Sequence, residues 1–262
     1  MMYRYPRTVH IEHSRRQPGD ENLAVEPFER LQGRHVVIEE KVDGANSGIS
    51  FNATGEMRLQ SRGHFLTGGP RERHFALFKT WAACHQRELF AALSSRYVLY
   101  GEWLYAKHTI FYDALSHYFL EFDVLDTESD RFLSTDHRRS LLGDAPIVSV
   151  PVLWEGTVES ANRLSDLVGP SRFKMPGWRE QLALLARSLG LNPEKVDRQT
   201  DQSDAMEGLY VKVEEKGEVV ERYKLIRQSF LTNVLDSDSH WLDRPIVPNQ
   251  LAVGVDIFGP SP

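Results

Sequence analysis

Residues 35–51, HVVIEEKVDGANSGISF, put an apolar β-branched run directly ahead of Glu39, Glu40, Lys41 and Asp43, with Gly44 and Asn46 following. Such runs read as strands, and a glycine between them reads as a turn. The pattern predicts strands over 35–42 and 46–53. A lysine among acids at the mouth of a strand has a plain explanation, a salt bridge beside a turn. It also has a chemical one, a nucleophile. With an ordinary pKa of about 10.4, roughly one lysine in a thousand is neutral near pH 7.5. Burial or neighbouring cations must lower that value before the amine can attack. The chemical reading therefore asks for a second basic cluster elsewhere. "ERYKLIR", residues 221–227, offers one. Strand alternation puts Arg222 and Lys224 on one face, with Val220 and Ile226.

Outward from these two stretches, strands and helices alternate without a regular βαβ rhythm. Residues 97–104 and 118–125 read as core strands, and 207–227 as a hairpin turning near Lys216–Gly217. Residues 70–93 read as one helix, with Phe75, Phe78, Trp81, Ala82, Leu89 and Leu93 along its apolar face. A short helix is expected to start on Asp136 as N-cap and stop at Gly143, and further helices to end near Gly169 and Gly190. Together these predict an α+β fold of largely antiparallel sheets flanked by helices. No linker divides the chain, so residues 1–262 are expected to form one domain. A loosely packed, proline-bearing tail is expected from about residue 228.

Composition narrows the function classes. Hydrophobic residues make up 41% and charged residues 26%, the profile of a soluble globular protein. A net charge of -6 argues against a general nucleic-acid coat, leaving only local basic clusters: Arg4 with Arg7, Arg15 with Arg16, Arg172 with Lys174. The single cysteine, Cys84, excludes an internal disulfide and is expected to be packed within the helix. No Cys/His spacing suggests structural zinc. No apolar run approaches the length of about 18 residues that a membrane helix needs, and no signal-peptide pattern opens the chain, so the cytoplasm is the expected location.

The ordered motifs resemble those of the covalent nucleotidyltransferases, the superfamily of ATP-dependent nucleic-acid ligases and mRNA capping enzymes. "EKVDGAN" resembles its KxDG motif I, and "SRG" (61–63) the arginine segment that follows. "YGEW" (100–103) resembles motif III, "FLEFDV" (119–124) motif IIIa, "MEGLYVKV" (206–213) motif IV and "RYKLIR" (222–227) motif V. Asn46, two residues past the motif glycine, is similar to that of the phage RNA ligase 2 group, and "YPRTVHI" resembles the start of small RNA-ligase-like proteins.

This resemblance implies an RNA-ligase nucleotidyltransferase domain of ATP-grasp-like type. It implies ATP as AMP donor, Mg²⁺ or Mn²⁺, and RNA ends bearing 5′-phosphate and 3′-hydroxyl. Lys41 would attack the α-phosphorus to give lysyl-AMP. Glu40 would flank the adenine edge, Arg62 and Glu102 would hold the ribose, and Phe122 would stack on the base. Glu207 would bind or orient the metal. Lys224 and Arg222 would neutralise the α-phosphate, Asn46 would contact the RNA 5′-phosphate, and Asp43 would assist the later steps. Lys107 and His108 lie close enough in sequence to Glu102 to reach the site. The phage group has histidine where this chain has Asp43, and motif V usually opens with lysine where this chain has Arg222. The stretch after Lys224 is short for the OB-fold of DNA ligases and capping enzymes, so no OB-fold is expected. A capping-type guanylyltransferase, a DNA ligase and a non-catalytic RNA-end-binding module are the alternatives. A short acidic chain also suggests a partner that heals ends, such as a polynucleotide kinase-phosphatase.

Overall fold

The computed structural model describes residues 1–16, 19–230 and 245–259. Twelve strands occur among them: β1 (Val9–Ile11), β2 (Val25–Glu26), β3 (Val36–Lys41), β4 (Ala45–Phe51), β5 (Met57–Ser61), β6 (Tyr97–Trp103), β7 (Phe119–Asp126), β8 (Arg131–Leu133), β9 (Val148–Ser149), β10 (Val152–Gly156), β11 (Gly208–Glu215) and β12 (Glu218–Ile226). They form one hydrogen-bonded sheet in the order β10-β3-β11-β12-β8-β7-β6-β4-β5, every neighbouring pair of which is antiparallel. β1 joins β12 in parallel. The mostly antiparallel α+β expectation holds.

β3 and β4 flank the Val42–Gly44 turn but do not pair with each other. β3 lies between β10 and β11, whereas β4 lies between β5 and β6. The chain therefore crosses at this turn from one limb of the sheet to the other. Gly44 is required by lack of room: a Cβ there would stand 2.7 Å from both Leu104 Cδ2 and the Trp103 carbonyl oxygen. At the far hairpin, Lys216 and Gly217 both have positive φ (52° and 84°), as a two-residue type I′ turn demands.

Each limb has its own core. Helices α1 (Ala76–Cys84) and α2 (Gln86–Leu93) cover the β4–β7 limb through Phe78, Trp81, Leu89 and Leu93, packed with Ile49, Leu99 and Phe119. The β3–β11–β12 limb buries Val36, Ile38, Leu209, Val211 and Leu225, with Leu164 of α4 (Ala161–Ser165). Helix α3 (Thr135–Leu142) follows β8, and α5 (Trp178–Ser188) packs with α6 (Pro193–Arg198) around Trp178 and Leu182.

Several local expectations change. The 70–93 helix is three pieces, a 3₁₀ turn at 70–75 and then α1 and α2, broken at His85; all six residues of its predicted apolar face are still buried. The break leaves Cys84 at the end of α1, exposed rather than packed. Ser134, not Asp136, caps α3, because its hydroxyl reaches the His137 N–H. Helix α4 stops at Ser165, short of Gly169. The tail is not loose over 245–259: Asn249 is buried, accepts from the Tyr112 N–H at 2.9 Å and donates to the Leu104 carbonyl at 2.6 Å. Residues 231–244 and 260–262 of that tail lie outside the described residues.

Candidate active site

A cavity of about 1390 Å³ opens where the limbs meet. Lys41 stands at the end of β3, opposite Gly208 in the register of β11, which brings Glu207 beside it. Lys41 Nζ donates to Glu207 Oε2 at 2.6 Å; Glu207 is buried, and the lysine side chain is 24% exposed. On the opposite limb Asn46 pairs with Glu102 across β4 and β6, and both line the cavity. The Gly44 N–H donates to Glu102 Oε1 at 3.2 Å, so the turn glycine holds a site carboxylate as well as the limb crossing.

The electrostatics run opposite to the sequence expectation of a lysine surrounded by cations. Burial works to lower the Lys41 pKa, but Glu207 and Glu102 outweigh it, and the amine is held above its usual value. Burial, opposed by Lys41, pushes Glu102 up to about 8. The resting lysine is therefore charged, and Glu207, its hydrogen-bonded partner, is the nearest group that can take its proton.

Strand alternation puts Glu121 and Asp123 in the interior and the Phe122 ring on the other side, where it lines the cavity 5.2 Å from Tyr5 in an edge contact. Tyr100 opposes Asp123 and Gly101 opposes Glu121, so Phe122 is the extra residue of a β-bulge in β7. Arg62, exposed just beyond β5, lines the same cavity.

Glu40 and Asp43 make structural contacts at the cavity wall. The buried Glu40 carboxylate accepts from Ser171 Oγ at 2.5 Å and from the Arg172 N–H at 3.2 Å; burial raises its pKa. Asp43 Oδ2 accepts from the Thr109 and Ile110 N–H groups at 2.7 and 2.8 Å, and its own N–H donates to Tyr112 Oη at 2.8 Å. His108 Nδ1 comes within 3.9 Å of Asp43 Oδ1, and burial holds this imidazole below its usual pKa. Lys107 turns away, donating to the His108 and Gln199 carbonyls.

Nine of the ten predicted site residues line the cavity: Glu40, Lys41, Asp43, Asn46, Arg62, Glu102, Phe122, Glu207 and Lys224. Arg222 does not. Its Nε donates to Asp123 at 3.0 Å, and its guanidinium carbon sits 3.6 Å over the Phe132 ring. The buried Asp123 carboxylate needs a cation, and Arg222 answers it. Sequence reasoning missed His10, Asp20, Tyr112 and Lys212. Lys224 reaches Asp20, Tyr112 reaches Asp43 and Lys212 reaches Glu39 only across long chain separations.

A family model described as RNA ligase matches residues 34–226, well over half of the chain. Among solved structures, a mutant of Naegleria gruberi RNA ligase with ATP and Mn matches with a TM-score of 0.51 and 17% identity, covering 80% of this chain and 54% of that one. An apo mutant of the same ligase matches with a TM-score of 0.51 and 18% identity, again covering 80% and 54%. The chain spans about half the length of these ligases, and the likeness is one of fold. No curated protein matches the sequence. The motif order, the crossing turn at Lys41 and the family match over the same residues converge: the chain belongs to the RNA ligase family.

Proposed function

We propose that the chain is an ATP-dependent RNA ligase acting through lysyl-AMP and RNA-adenylate. The observation that carries this is Lys41 at the junction of the limbs, held between Glu207 and Glu102 in a large cavity that Lys224 also lines. Lys41 Nζ gives up its proton and attacks the α-phosphorus of ATP. The N–P bond forms, the bond to the bridging oxygen breaks, and pyrophosphate leaves. Lys224 offsets charge on the phosphates. AMP then passes to an RNA 5′-phosphate, and the 3′-hydroxyl of the other end displaces it. Asn46, which lies opposite Glu102 and lines the cavity, would meet the RNA 5′-phosphate. Phe122 offers its ring to the adenine, and Arg62 and Glu102 their polar groups to the ribose.

Glu207 suits Mg²⁺ or Mn²⁺, hard cations that favour carboxylate oxygen. No group of three His, Cys, Asp or Glu that could hold a metal occurs among the described residues, so water and nucleotide phosphates would complete the shell. A bound cation would supply positive charge beside Glu207. The Naegleria ligase with ATP and Mn supports the same pairing of nucleotide and metal here.

Ligation consumes a 5′-phosphate and a 3′-hydroxyl, so broken RNA must first be healed. A polynucleotide kinase-phosphatase partner and a role in RNA repair follow from that need. No helix among the described residues is long and apolar enough to cross a membrane; a cytoplasmic location is part of the same proposal.

The test is incubation with ATP and Mg²⁺, then with nicked 5′-phosphate RNA. Intact mass should rise by one adenylate, acid-labile and base-stable, and the nick should close. Lys41→Ala should lose both. An adduct persisting in that variant, or equal labelling by GTP, would sink the assignment.

A further inference from the structure

Asp20 lies between β1 and β2, outside every motif quoted above. Three donors meet on its carboxylate: Arg7 Nη2 at 3.2 Å, His10 Nε2 at 3.1 Å, and Lys224 Nζ. Arg7, Asp20 and Lys224 line the same cavity as Lys41. The His10 side chain is fully buried, and His10 stands opposite Lys224 in the parallel register of β1 and β12. The ionised Asp20 carboxylate can only accept, so His10 Nε2 carries the hydrogen and donates to it, and Nδ1 accepts from the Ser14 hydroxyl at 2.6 Å. The Ile226 N–H donates to Ser14 Oγ at 2.9 Å. The donors thus come from sheet positions and the N-terminal segment, whereas the acceptor comes from a connecting loop. Burial works to raise the Asp20 pKa, but Lys224 and His10 hold it below the usual carboxylate range, so the loop delivers a full negative charge.

A ligase cleft has little reason to spend a phosphate-facing lysine on its own loop. The arrangement is what an anion site looks like when a carboxylate oxygen stands where a phosphate oxygen belongs. We propose that Arg7, His10 and Lys224 form a receptor for a phosphate oxygen, which Asp20 fills in the ligand-free protein and vacates when the phosphate arrives. This rests on the nucleotidyl-transfer reading of the cleft. Two sources share the chemistry, the triphosphate tail of ATP and the 5′-phosphate of an RNA end.

The test is calorimetric titration of the full chain with two probes, inorganic pyrophosphate and a 5′-phosphorylated oligoribonucleotide, with the 5′-hydroxyl oligonucleotide as reference. The two sides of the receptor should respond with opposite sign. Removing the competing charge with Asp20→Asn should tighten binding, and His10→Ala should weaken it, each by about tenfold, the size expected for one charge-assisted hydrogen bond. Arg7→Ala removes a half-exposed side chain, puts little folding at risk, and should weaken the same probe. Opposite shifts seen with pyrophosphate assign the receptor to the ATP tail. Opposite shifts seen with phosphorylated RNA alone assign it to the RNA end. Binding that Asp20→Asn weakens or leaves unchanged for both probes would overturn the receptor and make Asp20 a simple loop tie; indifference of both probes to Arg7→Ala and His10→Ala would do the same. Neither titration needs turnover. A chain that shows these shifts but never takes up AMP would refute the ligase reading alone, and one that labels normally without them would refute the receptor alone.

Discussion

Lys41 keeps its proton in the resting protein because Glu207 and Glu102 outweigh the cost of burying its charge. Burial acts the other way on Glu102. Its pKa rises from an ordinary 4.5 to about 8, so the folded protein binds this proton more tightly than the unfolded chain. The associated stability is fully present below pH 4.5 and is lost as pH climbs through 8. Glu102→Gln should therefore melt at a higher temperature than the wild type, with the gap widening between these limits, while AMP labelling falls. A melting series across pH checks it; a gap that narrows as pH rises contradicts the assignment. At this scale the sequence was informative where chemistry is local. Lys41, Asp43, Gly44 and Asn46 lie within six residues around one turn, and their resemblance to the KxDG motif marked them. His10, Asp20 and Lys224 meet only after some two hundred residues of chain have folded between them, and no local pattern signals that meeting.

Strand β7 shows what an element contributes beyond its residues. It carries a bulge at Phe122, whose ring faces the cavity, while Glu121 and Asp123 point inward. There they join Glu39, Arg138, Lys212 and Arg222 in a network of three acids and three cations. Arg138 reaches Glu39 at 2.7 Å and Glu121 at 3.0 Å; Lys212 reaches Glu39 at 2.9 Å and Asp123 at 3.2 Å. Lys212 also donates to the Phe122 carbonyl, tying the bulge to β11 of the other limb. Truncating one partner strands the others in low dielectric. Arg138→Met should cost about 3–5 kcal/mol in urea denaturation, with part recovered in the double variant Arg138→Met, Glu39→Gln. Phe122→Ala acts differently. It should weaken ATP binding by about 1–3 kcal/mol, the usual range for base–aromatic stacking, with little change in the urea midpoint. Period-2 patterning found β7 readily. It gave no sign of the bulge, nor of a charged helix residue such as Arg138 pointing into the core, because charge in a short helix ordinarily marks the solvent side.

For the molecule as a whole, charge sets the terms of RNA contact. The net value is -6, and the basic residues near the start are partly engaged: Arg7 with Asp20, and Arg15 with the Gln228 carbonyl at 2.7 Å. The net negative charge opposes phosphate binding, and the basic clusters are small. RNA affinity should be weak, with a shallow dependence on salt, since the slope scales with the number of phosphates neutralised. Titrations over a range of ionic strength measure it directly, and a slope corresponding to about six or more phosphate contacts would show a basic surface not evident in the charge distribution.

The division of the sheet into limbs also bears on how the protein is made. Strands β4 to β8 occupy the unbroken stretch 45–133, and each finds a partner within it. Strand β3 has no such neighbours; its partners begin at residues 152 and 208. Closing long loops is what slows β-rich folding, so the β4–β8 limb should gain order first and the strand bearing Lys41 late. Pulsed hydrogen exchange during refolding should protect the amides of Leu99 and Val124 before those of Ile38 and Val211. If that order holds, the nucleophile enters its carboxylate pair only when the rest of the molecule is already in place, and a half-made chain has no reactive lysine to misfire.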